Sequence, residues 1–275
     1  MKLGISRDAR PQAAVLLTAA VISVVLWFVP FAEIVTYPFQ IFVTFIHEGG
    51  HAIAAVLTGN SVESLSVATN ASGETYTTRG GLFSQVFVSS AGYLGAMAYG
   101  ALLLVLIRKA IAARVVLVGS AVLIFGLTVI YGLIKPAMSG LVSSSLPFTI
   151  LAGTALAASL IALAKYASAR VATFFVSFLA VQCILNALLD LKTVFFLSSP
   201  FAPSVPTDAV NMANATHIPA MFWAITWIVL AVGILGLAMR SYVVSRKNQL
   251  QLNQPFEPIP VPLFPTTIGE THNVR

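Results

Sequence analysis

Five consecutive residues carry the chemistry most readily read from this chain: His47-Glu48-Gly49-Gly50-His51, a match to the pattern H-E-x-x-H. Residues four apart on a helix lie one turn up the same face, so the two imidazoles can present nitrogens to a single ion at about 2.0–2.1 Å. Glu48 sits beside that face, suited to hold and deprotonate a water at the metal. At this chain's own His and Glu frequencies, the pattern would arise by chance about once in a thousand such sequences. Its surroundings are apolar, and two imidazoles and a carboxylate in hydrocarbon cost several kcal/mol unless they pair or bind something. Zinc is therefore the expected occupant, rather than two histidines satisfied within a core.

Catalytic zinc takes three protein ligands and keeps a fourth position open. The third ligand must come from elsewhere, because Ala54 and Leu57 stand where a longer H-E-x-x-H-x-x-G-x-x-H motif would place Gly and His. Glu63 and Glu74 fall in a polar stretch where solvated carboxylates are ordinary. Asp190 lies instead in the apolar run Val171 to Leu197, and Gln182, Asn186 and Asp190 recur every fourth residue as one polar stripe. Such a stripe faces a bundle interior or a water-filled cavity. It would serve equally as an interhelical hydrogen-bond seam, or as half of a salt bridge to Lys192. Asp190 is the expected third ligand, with the Asn186 amide as support for a developing oxyanion. Asp208 competes, although a residue of its type before Pro219 also suits the N-cap of a short helix. His217 reads as a solvated loop histidine.

The elements that must position these groups are membrane spans. Of 275 residues 58% are hydrophobic and 9% charged, with a mean hydropathy of +0.91; soluble domains carry about 25% charged residues. A soluble enzyme, a disordered chain and a nucleic-acid module are excluded, and an all-α polytopic protein in a lipid bilayer is expected. The net charge of +6 suits basic loops beside anionic lipid. Apolar runs of spanning length cover Ala13 to Val29, Pro38 to Leu57, Phe83 to Ile107, Val115 to Ile134, Phe148 to Ala164, Val171 to Leu197 and Ala220 to Met239. That makes seven helices, or six if one of the middle pair is re-entrant. The first could be a signal peptide, but no small-residue cleavage site follows it, so it reads as a retained span.

Between the second and third spans, Val62 to Ala68 and Glu74 to Thr78 flank a turn at Asn70-Ala71-Ser72-Gly73 and read as a β-hairpin. Gly49 and Gly50 permit close backbone approach, and Gly92, Ala96 and Gly100 form a small-residue face suited to packing on the second span. The single cysteine, Cys183, excludes an internal disulfide and a cysteine-based metal cluster. Two N-x-S/T matches, at Asn70 and Asn214, are short enough to be accidental. Residues 1–247 read as one domain, and 248–275 as a Pro-rich tail without the means to bury a core. Lys and Arg near span ends number six on the amino-terminal side and eight on the other, by count from the sequence, too even to orient the chain.

The chain resembles the site-2 protease family of intramembrane zinc metalloproteases, and more narrowly its compact bacterial branch. The likeness rests on the H-E-x-x-H motif inside a span, the hairpin after it, the Ser90-Ala91-Gly92-Tyr93-Leu94-Gly95 stretch, the Asp208-Ala209 pair and Thr216-His217-Ile218-Pro219-Ala220. It runs from about Tyr37 to Met239. It implies a zinc endopeptidase of the cell membrane that cleaves membrane-protein substrates in or near their transmembrane segments. His47, His51 and Asp190 would be ligands and Glu48 the general base, with the hairpin and the amino terminus on the cytosolic side. Better-characterised members carry Asn-Pro-Asp-Gly or Leu-Asp-Gly around the third ligand, whereas Leu189-Asp190-Leu191 keeps the Leu-Asp and lacks the Gly, so Asp208 remains a rival. A non-proteolytic zinc-binding relative of the same fold also suits these residues. So does a transporter with an ion pathway, although that reading gives two histidines in register with Glu48 no role.

Overall fold

The computed structural model describes residues 10–26, 28–109, 111–141, 143–199, 201 and 205–243; the proposed tail, 248–275, lies outside them. Among the described residues six helical stretches are long and apolar enough to cross a membrane: α2 (Glu33–Leu57), α3 (Leu82–Arg108), the run Ala113–Ser139, α6 (Leu146–Tyr166), α7 (Ala169–Leu197) and α9 (Ala220–Val243, with its spanning part ending at Tyr242). The run Ala113–Ser139 comprises α4 (Ala113–Val129), a π-helical turn at Ile130–Ile134 and α5 (Lys135–Ser139). The six-helix alternative is thus the one seen, but for a different reason from the one expected. The middle pair spans in full, and the short element is the first, α1 (Arg10–Leu26), with 17 residues. It lies along α7, where Ala19 packs with Phe178 and Val181 and the Gln182 amide donates to Ser23 Oγ at 3.3 Å.

The hairpin forms where expected, as β1 (Val62–Val67) and β2 (Gly73–Thr77), antiparallel, with Leu65 opposite Thr75 and Val67 opposite Gly73. Its turn holds Ala71 at φ 63°, and Asn70 Oδ1 closes it by accepting from Ser72 N and Oγ. The hairpin folds back along α2. The Tyr37 hydroxyl donates to Thr69 O at 2.6 Å and Thr44 Oγ1 to Ala71 O at 2.7 Å, which brings the turn to the amino-terminal half of that helix. Non-helical backbone at such depth survives only when buried in protein or lining water, and the two strands divide those solutions. On β1, Val62, Leu65 and Val67 are buried, and Val67 N and O both bond Thr149 Oγ1 of α6 at 2.8 and 3.1 Å. On β2, no residue is buried, and the strand borders a cavity.

The expected small-residue face of α3 divides between two partners. A Cβ added at Gly50 would run into the Ala91 carbonyl, and one added at Gly95 would stand 3.5 Å from the Gly50 Cα, so this end packs on α2 as read from sequence. Gly100 instead faces Ile184, the Ala180 carbonyl and Cys183 on α7, because α3 runs between α2 and α7 and serves both. Before the last span the chain forms the short helix α8 (Asp208–Thr216), which packs on α3 and α9.

Candidate metal centre

His47 and His51 lie on one face of α2, mid-helix, with Nε2 atoms 3.1 Å apart. His51 Nδ1 sits 2.7 Å from the Val88 carbonyl of α3. Donation to that oxygen leaves Nε2 as the free lone pair and fixes the ring, as second-shell partners of metal-bound histidines do. The third group is Asp208. Its Oδ2 lies 3.5 Å from His47 Nε2 and 3.4 Å from His51 Nε2, and His47, His51 and Asp208 are the cluster among the described residues that could hold a metal ion. Burial disfavours the Asp208 charge, but attraction and hydrogen bonding from the two histidines outweigh it and hold the carboxyl below the ordinary carboxylate range.

Local structure explains why Asp208 is available. The N-cap of α8 is Thr207, whose hydroxyl accepts from Val210 N at 3.3 Å, and Asp208 is the first helical residue. The capping role weighed for Asp208 belongs to its neighbour, and its carboxylate is free to reach the imidazoles.

Asp190 is the ligand expected from sequence, and it stands outside this group. It lines a second cavity of about 460 Å³ beside the centre, with Asn186, Thr193, His47 and Glu48. The polar stripe on α7 is real as a period but does not converge on this group. Gln182 reaches α1, and the Asn186 amide nitrogen donates to Gln182 O at 2.8 Å and Gln182 Oε1 at 3.2 Å, turned back into its own helix. No ion pair joins Asp190 to Lys192 among the described residues.

Glu48 is buried and oriented by the hairpin: Thr75 Oγ1 donates to Glu48 Oε2 at 2.6 Å. Gly73 lies so close to Glu48 that an added Cβ would stand 2.5 Å from its Cγ and Oε1. The larger cavity, about 800 Å³, is bounded by His47, Glu48, His51, β2, Tyr93 and the start of α8. It meets the smaller cavity at His47, Glu48 and Tyr93, so the centre is approached from two directions.

Three contributors escaped the sequence reading. The sequence reads Gly92 as packing, yet a Cβ there would overlap the Nε2 atoms of both histidines, so its missing side chain is the space in front of the two imidazoles. Tyr93 sets its ring edge-on to His47, with centroids 4.6 Å apart and planes at 75°, backed by Trp227 at 5.5 Å. Thr75 holds the carboxylate. The adjacency of Gly92 and Tyr93 in a helix carrying Ser and Gly was the available signal; nothing in the sequence marks Thr75.

Comparison with known proteins agrees with this architecture. No curated protein and no solved structure matches the chain. The family described as Peptidase M50B-like matches residues 14–238, which include every group of the centre and all six spanning helices but the last few residues of α9. With that match the resemblance to the site-2 proteases is upheld, and the chain is a multi-pass membrane protein that belongs to the Peptidase M50B-like family.

Proposed function

We propose that this protein is a zinc-dependent intramembrane endopeptidase of the cell membrane, with His47, His51 and Asp208 as the metal ligands and Glu48 as the general base. The observation that carries the reading is the spacing of the donor atoms. Tetrahedral zinc with bonds of about 2.0–2.1 Å sets its ligand atoms about 3.3–3.4 Å apart. The three separations here are 3.1, 3.4 and 3.5 Å, and Gly92 leaves the adjoining space open. Two imidazoles and a carboxylate are also a donor set that zinc favours in hydrolytic sites. Bound zinc supplies Lewis acidity at this point.

The protein's own groups supply the rest. Glu48, held by Thr75, removes a proton from water as it attacks the scissile carbonyl and returns that proton to the leaving amine. The hydrogen bond from Thr75 fixes one carboxylate oxygen and leaves the other to work. The Val88 carbonyl and the edge of Tyr93 hold His51 and His47 in register. A transmembrane helix hides its amides in its own hydrogen bonds, so a substrate must unwind before it is cut. β2 is the outer strand of a two-stranded sheet and borders the cavity at Glu48. An extended substrate segment added along it would bring its backbone beside the base.

The test is zinc content together with proteolysis of a single-span substrate in liposomes. Glu48→Gln should keep about one zinc per chain and lose hydrolysis by at least a thousandfold, within the range of general-base catalysis. Cleavage by the variant at the parental rate would remove Glu48 from the mechanism.

A further inference from the structure

The metal centre leaves one charged group unexplained. Asp190 lies in the spanning helix α7 and lines the smaller cavity, and it has no hydrogen bond or ion pair among the described residues. Its side chain is exposed to that cavity, and an ionisable group within a spanning helix normally marks a function with a specific partner. Apart from the Gln40 amide, the other polar side chains named here around it are already satisfied. Thr44 donates to Ala71 O, Thr193 to Leu189 O and Asn186 to Gln182, while Glu48 is held by Thr75 and His47 faces Asp208. Among the described residues no Lys or Arg lines the cavity. What is left is one carboxylate, with the neutral Gln40 amide, in want of a cation, in a cleft of about 460 Å³, a size common for ligand sites. A lone carboxylate is too few ligands for a second metal ion, whereas an ammonium or guanidinium matches it by a charge-assisted hydrogen bond.

We propose that Asp190 is the recognition carboxylate of a specificity subsite, which binds a Lys or Arg side chain of the membrane segment presented to the metal centre. The inference rests on the peptidase reading for what the segment is, and adds which segments are chosen. Because the cavity shares His47 and Glu48 with the larger one, a basic residue seated against Asp190 fixes the register of the backbone at the base. A wholly apolar span would leave the carboxylate unpaired and bind more weakly.

Binding is measured apart from cleavage. The Glu48→Gln protein, which removes the one competing carboxylate of the cavity, is reconstituted in liposomes with fluorescent single-span peptides. A single lysine is moved along the span residue by residue, with norleucine or glutamate at the same positions as controls. At one position lysine should bind about tenfold more tightly than norleucine, near the low end of the coupling between close charge pairs across an interface. Adding Asp190→Asn should bring that ratio to about one, Asp190→Glu should retain it, and Asp190→Lys should turn the preference towards glutamate. Equal binding of all peptides, or a lysine preference that survives Asp190→Asn, overturns the subsite. Cleavage by the parent protein is scored separately. A lysine preference without cleavage sinks the peptidase reading and leaves the subsite standing, and cleavage without any preference does the reverse.

Discussion

Asp190 and Asp208 both approach the histidine pair from outside α2, and they differ in everything that sequence patterns reward. Asp190 sits in a 29-residue apolar helix at the end of a polar stripe. Asp208 opens a nine-residue helix after a loop, beside a Thr that does the capping. The second reaches both imidazoles, while the first faces them across a cavity. The contrast shows that depth in an apolar run reports the cost of a charge and not its partner. A ligand is decided by where the chain returns to, and α8 returns to α3, whose Val88 and Gly92 adjoin the histidines.

The strongest way to break this comparison is to neutralise each carboxylate and challenge the protein with a chelator. Removing an outer-shell partner of a metal ligand costs about 10–100-fold in affinity, so loss of a ligand must cost more. Asp208→Asn should weaken zinc binding by more than about a hundredfold, on that scale. Asp190→Asn should hold zinc at the parental level. Metal analysis of the two variants at one chelator concentration ranks them directly, and the reverse order would return the ligand role to Asp190.

Two glycines of α3 sharpen it next. An alanine at Gly92 places a methyl group against both Nε2 atoms, so Gly92→Ala should lower zinc affinity by about tenfold or more in a protein whose helix content is unchanged. At Gly100 the added methyl meets Ile184 Cγ1 at 2.8 Å and Cys183 Cβ at 3.0 Å, in a packing seam. Gly100→Ala should therefore lower the melting temperature, by overpacking that costs about 1–3 kcal/mol, and leave zinc bound. Zinc loss from both variants to the same extent would mean that Gly92 acts through packing alone.

The parts of the site that sequence made legible are those joined by short-range geometry. His47, Glu48 and His51 lie within one helical turn, and the hairpin follows from turn residues between two short strands, so both could be read locally. Six of the apolar runs became spanning helices because length and hydropathy are themselves local sums. The third group of the candidate centre is set by a return of the chain far from the motif, and Thr75 by the hairpin's folding along α2, and no spacing encodes either. The stripe Gln182-Asn186-Asp190 misled because period four shows only that residues share a face. It does not show that they share a partner: Gln182 reaches Ser23, Asn186 turns back to Gln182, and Asp190 has no hydrogen bond or ion pair among the described residues.

The smallest expected effect tests why Asp208 and not Asp190 is held in place. Thr207 caps α8 by accepting from Val210 N, and loss of a Thr cap costs about 1 kcal/mol. That helix has nine residues, too few to be stable on its own, so its first turn and the Asp208 side chain should loosen together. Thr207→Ala should then weaken zinc binding by about fivefold, the equivalent of that cap energy, while Thr207→Ser, which keeps the hydroxyl, should restore it. Beside Asp190 the corresponding hydroxyl is Thr193, which donates to Leu189 O inside a long helix that needs no cap. Thr193→Ala should leave zinc affinity unchanged. Chelator competition on the three variants settles the point: equal affinities for Thr207→Ala and Thr193→Ala would mean that the packing of α8 on α3 and α9, and not its cap, holds the carboxylate against the histidines.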